Sequence, residues 1–144
     1  MAIQQGQCTI FKKNCLSGLE NFAVGTPYTY KIALYTSFAA LGPSTTAYST
    51  TNEIVGTGYT AGGKTLIVIP PTTDSQTQTA YISFANVTWD PASFTTRGAL
   101  IYNSTTGAAV AVLDFGSDKT NTAANTFTVT FPTATSTTAI IRLN

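Results

Sequence analysis

From residue 28 onward, apolar and polar positions alternate with a period of two. The clearest run is Tyr28-Thr-Tyr-Lys-Ile-Ala-Leu-Tyr35, which puts Tyr28, Tyr30, Ile32 and Leu34 on one face of a strand. Residues 53–58, 64–69, 79–87, 98–102, 108–115, 126–131 and 138–143 have the same character. Gly, Pro, Asn or Asp separates most of them. The pattern predicts an all-β, single-domain antiparallel β-sandwich of jelly-roll-like form. Residues 102–108 read as a tight hairpin in which Gly107 takes a positive φ. Residues 36–52, rich in Ser, Thr, Ala and Gly and holding Pro43, form a long loop. Loops of that length in compact domains are often functional.

The first 25 residues follow a different period. Phe11, Cys15, Leu19 and Phe22 fall at helical spacing, while Lys12, Lys13, Asn14, Ser17 and Glu20 fill the other side. This predicts a short amphipathic helix over 10–22, weakened by Gly18. The chain divides into an N-terminal arm or short helix, 1–25, and a β-sandwich domain, 26–144. The arm is either a lid on the core or a docking element. In the second case Phe11, Leu16, Leu19 and Phe22 are its partner-binding residues, and the exposed edges of strands add to them.

Composition narrows the chemistry. The 144 residues include 29 Thr and no His, and only 9% are charged, against about 25% in typical soluble proteins. Thr favours half-buried pleated surfaces. Without His, a Ser-His-Asp or Cys-His set cannot be built, and the commonest metal ligand is missing. A net charge of +1 gives no electrostatic capture of nucleic acid. Sparse charge on a compact domain points to a surface shared with partners, as in a homo-oligomer or a larger assembly. Cys8 and Cys15 lack zinc spacing and are expected to be free thiols. No apolar signal segment opens the chain, and its longest aliphatic run, 66–69, is too short to cross a bilayer. Synthesis in the cytoplasm, with no membrane contact, is expected.

One motif invites a different reading. Gly58-Tyr-Thr-Ala-Gly-Gly-Lys-Thr65 matches the phosphate-loop pattern letter for letter, and Ala111-Val-Leu-Asp114 imitates its partner strand. The mechanism needs a helix after the loop, whose amides cradle phosphate. Here Leu66-Ile-Val-Ile69 follows, a β-branched run that Pro70-Pro71 should stop. The expected structure is a Gly-rich turn into a strand. Asp90, Asp114 and Asp118 offer carboxylates for hydrolysis or calcium, but each sits at an expected turn, where Asp is ordinary. Trp89 is expected as a core plug. Arg97 and Arg142, each beside apolar strand residues, are candidate subunit contacts. No catalytic, cofactor-binding or metal-ligating residue is expected, and no cofactor.

Five segments together carry a family resemblance. They are Phe11-Lys-Lys-Asn-Cys-Leu-Ser-Gly18, Lys31-Ile-Ala-Leu-Tyr-Thr-Ser37, Asn52-Glu-Ile-Val-Gly-Thr-Gly-Tyr-Thr-Ala-Gly-Gly-Lys-Thr65, Thr96-Arg-Gly-Ala-Leu-Ile-Tyr-Asn103 and Ala111-Val-Leu-Asp-Phe-Gly-Ser117. The chain resembles a family of small virion structural proteins of tailed bacteriophages. The resemblance implies a structural, non-enzymatic role in the virion. The leading expectation is a capsid decoration or cement protein that binds the major capsid protein. The alternative is a head-fibre, neck or tail component touching the host surface, with Tyr48, Tyr59 and Trp89 as candidate glycan contacts.

Overall fold

The computed structural model describes residues 2–144, apart from the side chains of residues 123 and 124. Its elements run β1 (Gly6–Gln7), α1 (Thr9–Leu16), β2 (Tyr30–Tyr35), β3 (Lys64–Thr65), β4 (Val68–Asp74), β5 (Thr79–Phe84), β6 (Val87–Asn103), β7 (Ala109–Val129) and β8 (Ile141–Leu143). The fold is mostly β. One sheet has the order β1-β7-β6-β2-β3 and the other β4-β5-β8. Every pairing is antiparallel. Side chains from both sheets belong to one apolar core, with Ile32 and Leu34 of the first sheet and Ile82, Phe84 and Ile141 of the second among its members.

The hairpin β6–β7 is the spine. Its tip is the turn expected at 102–108: Gly107 has φ 82°, and its N–H donates to the Asn103 carbonyl at 2.7 Å. Its strands are much longer than the alternation indicated. Residues 87–103 form one strand and 109–129 another. Asp90-Pro91 and Phe115-Gly-Ser117, expected as turns, lie inside them. Register shifts between Trp89 and Ala92 and between Thr96 and Gly98 absorb these residues as bulges. A bulge accommodates a proline or a positive-φ glycine without ending the strand.

Other expectations need correction as well. Pro70-Pro71 does not stop the strand that begins at Val68. The irregularity between Ile69 and Thr72 lets β4 run on at the edge of its sheet, where a missing N–H costs least. Residues 53–58 make only isolated bridges, Tyr35 with Glu53 and Thr57 with Ser93. There the chain presses so close to β6 that a Cβ on Gly56 would lie 2.5 Å from the Ser93 carbonyl oxygen. In β2, Ala33 and Tyr35 are buried as well as Tyr30, Ile32 and Leu34. The 36–52 loop folds over that second face, and the Tyr35 hydroxyl donates to the Ser49 carbonyl at 2.6 Å.

The helix is shorter than 10–22. It ends at Leu16, where Gly18 turns the chain at φ 70°. The Gly18 N–H reaches the Cys15 carbonyl (3.2 Å) and the Leu19 N–H the Asn14 carbonyl (2.8 Å). This pair of bonds is the Schellman motif, which a glycine at that position favours. Cys8 and Cys15 sit at opposite ends of α1 and are both free. Seven residues of helix separate them by about 10 Å, beyond the reach of a disulfide.

Candidate functional site

The phosphate-loop lookalike is the most highly specified stretch of the surface, and its glycines have a steric cause. Gly58 has φ 81°, and a Cβ there would lie 1.9 Å from the Pro91 carbonyl oxygen. Gly63 has φ 74°, and its Cβ would lie 1.7 Å from the Ile32 carbonyl oxygen. The turn is clamped between β6 and β2, which leaves no room for side chains. Lys64 opens β3, which holds only Lys64–Thr65, so the strand expected over 64–69 is broken at 66–67 and resumes as β4. The Lys64 ammonium donates to the Thr88 carbonyl at 2.6 Å and stands 5.8 Å from the Trp89 ring centroid. Where a nucleotide loop turns its amides to phosphate, the Gly62 N–H here donates to a protein carboxylate, Glu53, at 2.7 Å. An anion already fills the place, and a second would be repelled.

Glu53 is the hub that sequence reading missed. It is buried, at 8% exposure. It accepts the hydroxyls of Tyr48 (2.7 Å) and Tyr59 (2.6 Å) besides the Gly62 amide. The Tyr59 hydroxyl also accepts the Leu34 N–H at 2.9 Å. Tyr48 stacks on Tyr102, whose hydroxyl donates to the Gly62 carbonyl at 2.7 Å. Burial first, and the adjacent carboxylate second, pushes the Tyr48 and Tyr59 phenols well above their ordinary range. A carboxylate with three donors on it holds a loop in place. Only the three scattered tyrosines Tyr48, Tyr59 and Tyr102 hinted at this, since the fold brings them together from separate segments.

A second carboxylate ties down the N-terminal segment. Glu20 Oε2 accepts the Tyr30 hydroxyl (2.8 Å) and the Asn103 amide (3.1 Å), while its Oε1 is buried without a partner. Phe22 stacks on Tyr30, with centroids 4.4 Å apart, and Phe11 packs edge-on against Phe22. The segment therefore lies against the core. Of its candidate contacts, Phe11 is buried and Phe22 half-buried, so both are packing groups in the folded chain. Leu16 is 92% exposed and Leu19 is also exposed. These two remain available on the surface.

The other singled-out residues are placed as follows. Arg97 is paired with Asp114 across the hairpin, Nε to Oδ1 at 3.1 Å. Asp114 also accepts the Gly116 N–H, which with Arg97 holds its carboxyl below the usual range. Exposed Arg142 donates to the Thr137 carbonyl and lies in β8. The Gln7 amide reaches the Arg142 carbonyl at 3.3 Å, linking the two sheets' edges. Trp89 is buried among Tyr59, Phe94 and Phe127. Tyr48 and Tyr59 spend their hydroxyls on Glu53. Of the three aromatics considered for glycan contact, Trp89 is buried, while Tyr48 and Tyr59 are half-buried.

Among the described residues, no group of three or more His, Cys, Asp or Glu is placed to hold a metal ion, and no helix is long and apolar enough to cross a membrane. No family model, curated protein or solved structure matches the chain.

Proposed function

We propose that this chain is a structural protein of a tailed-phage virion. In this reading it decorates and cements the capsid as a homo-oligomer bound to the major capsid protein, and it performs no catalysis. We read the two sheets as the halves of a jelly-roll-like sandwich. The reading rests on the resemblance of five ordered segments. The observation that supports it is the set of large apolar side chains left in solvent, among them Val55 (95%), Leu16 (92%), Val24 (84%) and Ile67 (72%). Exposed apolar groups on a chain so poor in charge fit surfaces that a partner covers.

The strand edges fit the same role. β1 covers β7 only at Ala111 and Val112, and beyond that the outer edge of β7 carries no strand among the described residues. An open edge offers N–H and C=O groups that a neighbouring subunit completes. Cementing follows from mass action, because a protein bound only to the mature shell stabilises it by its binding free energy.

The test is addition of purified protein to shells lacking it. Co-sedimentation at saturating stoichiometry and a higher shell-melting temperature are expected. Failure to bind, or binding without stabilisation, contradicts the cement role. Attachment confined to one vertex moves the chain to the neck, tail or fibre.

A further inference from the structure

The 36–52 loop encloses a cavity of about 390 Å³ against β2. That volume lies within the range of small-ligand sites. Tyr35, Ala39 and Leu41 supply apolar lining, and Ser44, Thr46 and Asn52 supply hydroxyl and amide groups. None of the lining side chains is charged. Phe38 precedes the lining residue Ala39 in the chain, is 78% exposed, and has its carbonyl held by the amide of the lining residue Asn52 at 3.2 Å.

The loop has no regular secondary structure, yet the scaffold pins it along its length. The Gln4 N–H donates to the Leu41 carbonyl, Thr9 to Pro43, and Ala109 to Thr46, at 2.8 to 3.0 Å. The Tyr48 N–H reaches Gly107, and the Thr36 N–H reaches Asn52, both at 3.0 Å. Asn52 itself holds φ 61°, a conformation that Asn tolerates better than most residues. A cavity held open in this way spends little ordering entropy on binding.

We infer that this cavity binds a neutral saccharide. A sugar ring presents an apolar C–H face and a rim of hydroxyls. The cavity presents methyl groups and an aromatic edge on one side and neutral hydrogen-bonding groups on the other. An anionic ligand would find no counter-charge here. A wholly apolar ligand would displace water from the Ser44 and Thr46 hydroxyls without replacing its hydrogen bonds. Phe38 stacks on the C–H face, and Asn52 and the hydroxyls fix orientation. The lining does not include Tyr48, Tyr59 or Trp89, and the site does not depend on the virion reading.

The test is a titration of the full chain, followed by amide NMR shifts. The probes are glucose, galactose, N-acetylglucosamine and their neutral oligomers, with glucuronate and sialic acid as charged comparisons. Saturable shifts confined to residues 35–52 are expected with at least one neutral probe. Phe38→Ala should weaken that binding about tenfold, near 1.4 kcal/mol, with the melting temperature unchanged. Ala40→Trp, at the exposed mouth, should abolish it in a folded protein. No saturable shift with any neutral probe, shifts elsewhere, preference for the charged sugars, or full binding by Phe38→Ala overturns the inference.

Discussion

Glu53 shows what one residue does in a chain with 6 carboxylates. It is nearly buried and takes two phenolic hydroxyls and one backbone amide. Replacement by Ala strands all three donors, and each buried orphan costs about 1–3 kcal/mol. Glu53→Ala should therefore lose about 3 kcal/mol or more in urea unfolding. A loss below about 1 kcal/mol would show that the hub is not holding the loop. Nothing in the local sequence around Glu53 announces this. Its partners Tyr48, Tyr59 and Gly62 are close in number but lie on an irregular path, so no periodic pattern marks them. Trp89 is the opposite case. Alternation and a single large indole were enough to place it in the core, and there it stacks among aromatics.

Elements were legible where burial is one-sided and hidden where the backbone is irregular. The Tyr28–Tyr35 run and the 102–108 turn were readable because their side-chain period and Gly107 are local signals. The full reach of β6 and β7 was not, because bulges at Asp90-Pro91 and near Gly116 look in sequence like turns. The 58–65 stretch shows the same ambiguity in its glycines. Gly63→Ala should fail to fold, since its Cβ would meet the Ile32 carbonyl oxygen at 1.7 Å. Gly107→Ala has φ 82° but open space around it, so it should cost only about 1–2 kcal/mol. Comparable stabilities for the two variants, measured by thermal unfolding, would contradict the clamped turn.

The N-terminal segment gives a second contrast at the same scale. Phe11→Ala should cost about 3–5 kcal/mol, and deletion of residues 1–22 should unfold the protein. Leu16→Asp, on a fully solvated position, should stay within about 0.5 kcal/mol of the parent. A truncated chain with native circular dichroism and a cooperative melt would show the segment to be a detachable arm.

At the scale of the whole molecule, the buried thiol and phenols set the response to pH. Burial pushes the Cys8 thiol up from 9.0 to about 11, and it pushes Tyr30, Tyr35 and Tyr59 up as well, from an ordinary 10.0. These groups release protons more readily when unfolded, so the unfolded chain binds fewer protons at alkaline pH. The stability they contribute is complete below pH 9 and declines as pH rises through the folded values. Urea midpoints should therefore fall steadily from pH 9 to 11. A flat profile over that window would contradict the buried placement of Cys8 and the tyrosines. The absence of His removes the usual switch near neutrality.

Exposed Val55 and Leu16, the open edge of β7 and the sparse charge belong to this scale too, because each is a liability for a lone monomer and an asset in an assembly. The all-β class was readable from alternation and composition. The proposed role rests on resemblance, since a surface that partners cover carries no chemical motif. The most direct measurement of the proposed virion role is the copy number of this chain in purified virions of the proposed source phage, by quantitative mass spectrometry against the major capsid protein. A ratio comparable to that of the capsid protein is predicted for a decoration or cement subunit. A few copies per particle would contradict decoration in favour of a neck, tail or fibre position, and absence from the virion would contradict the structural account altogether.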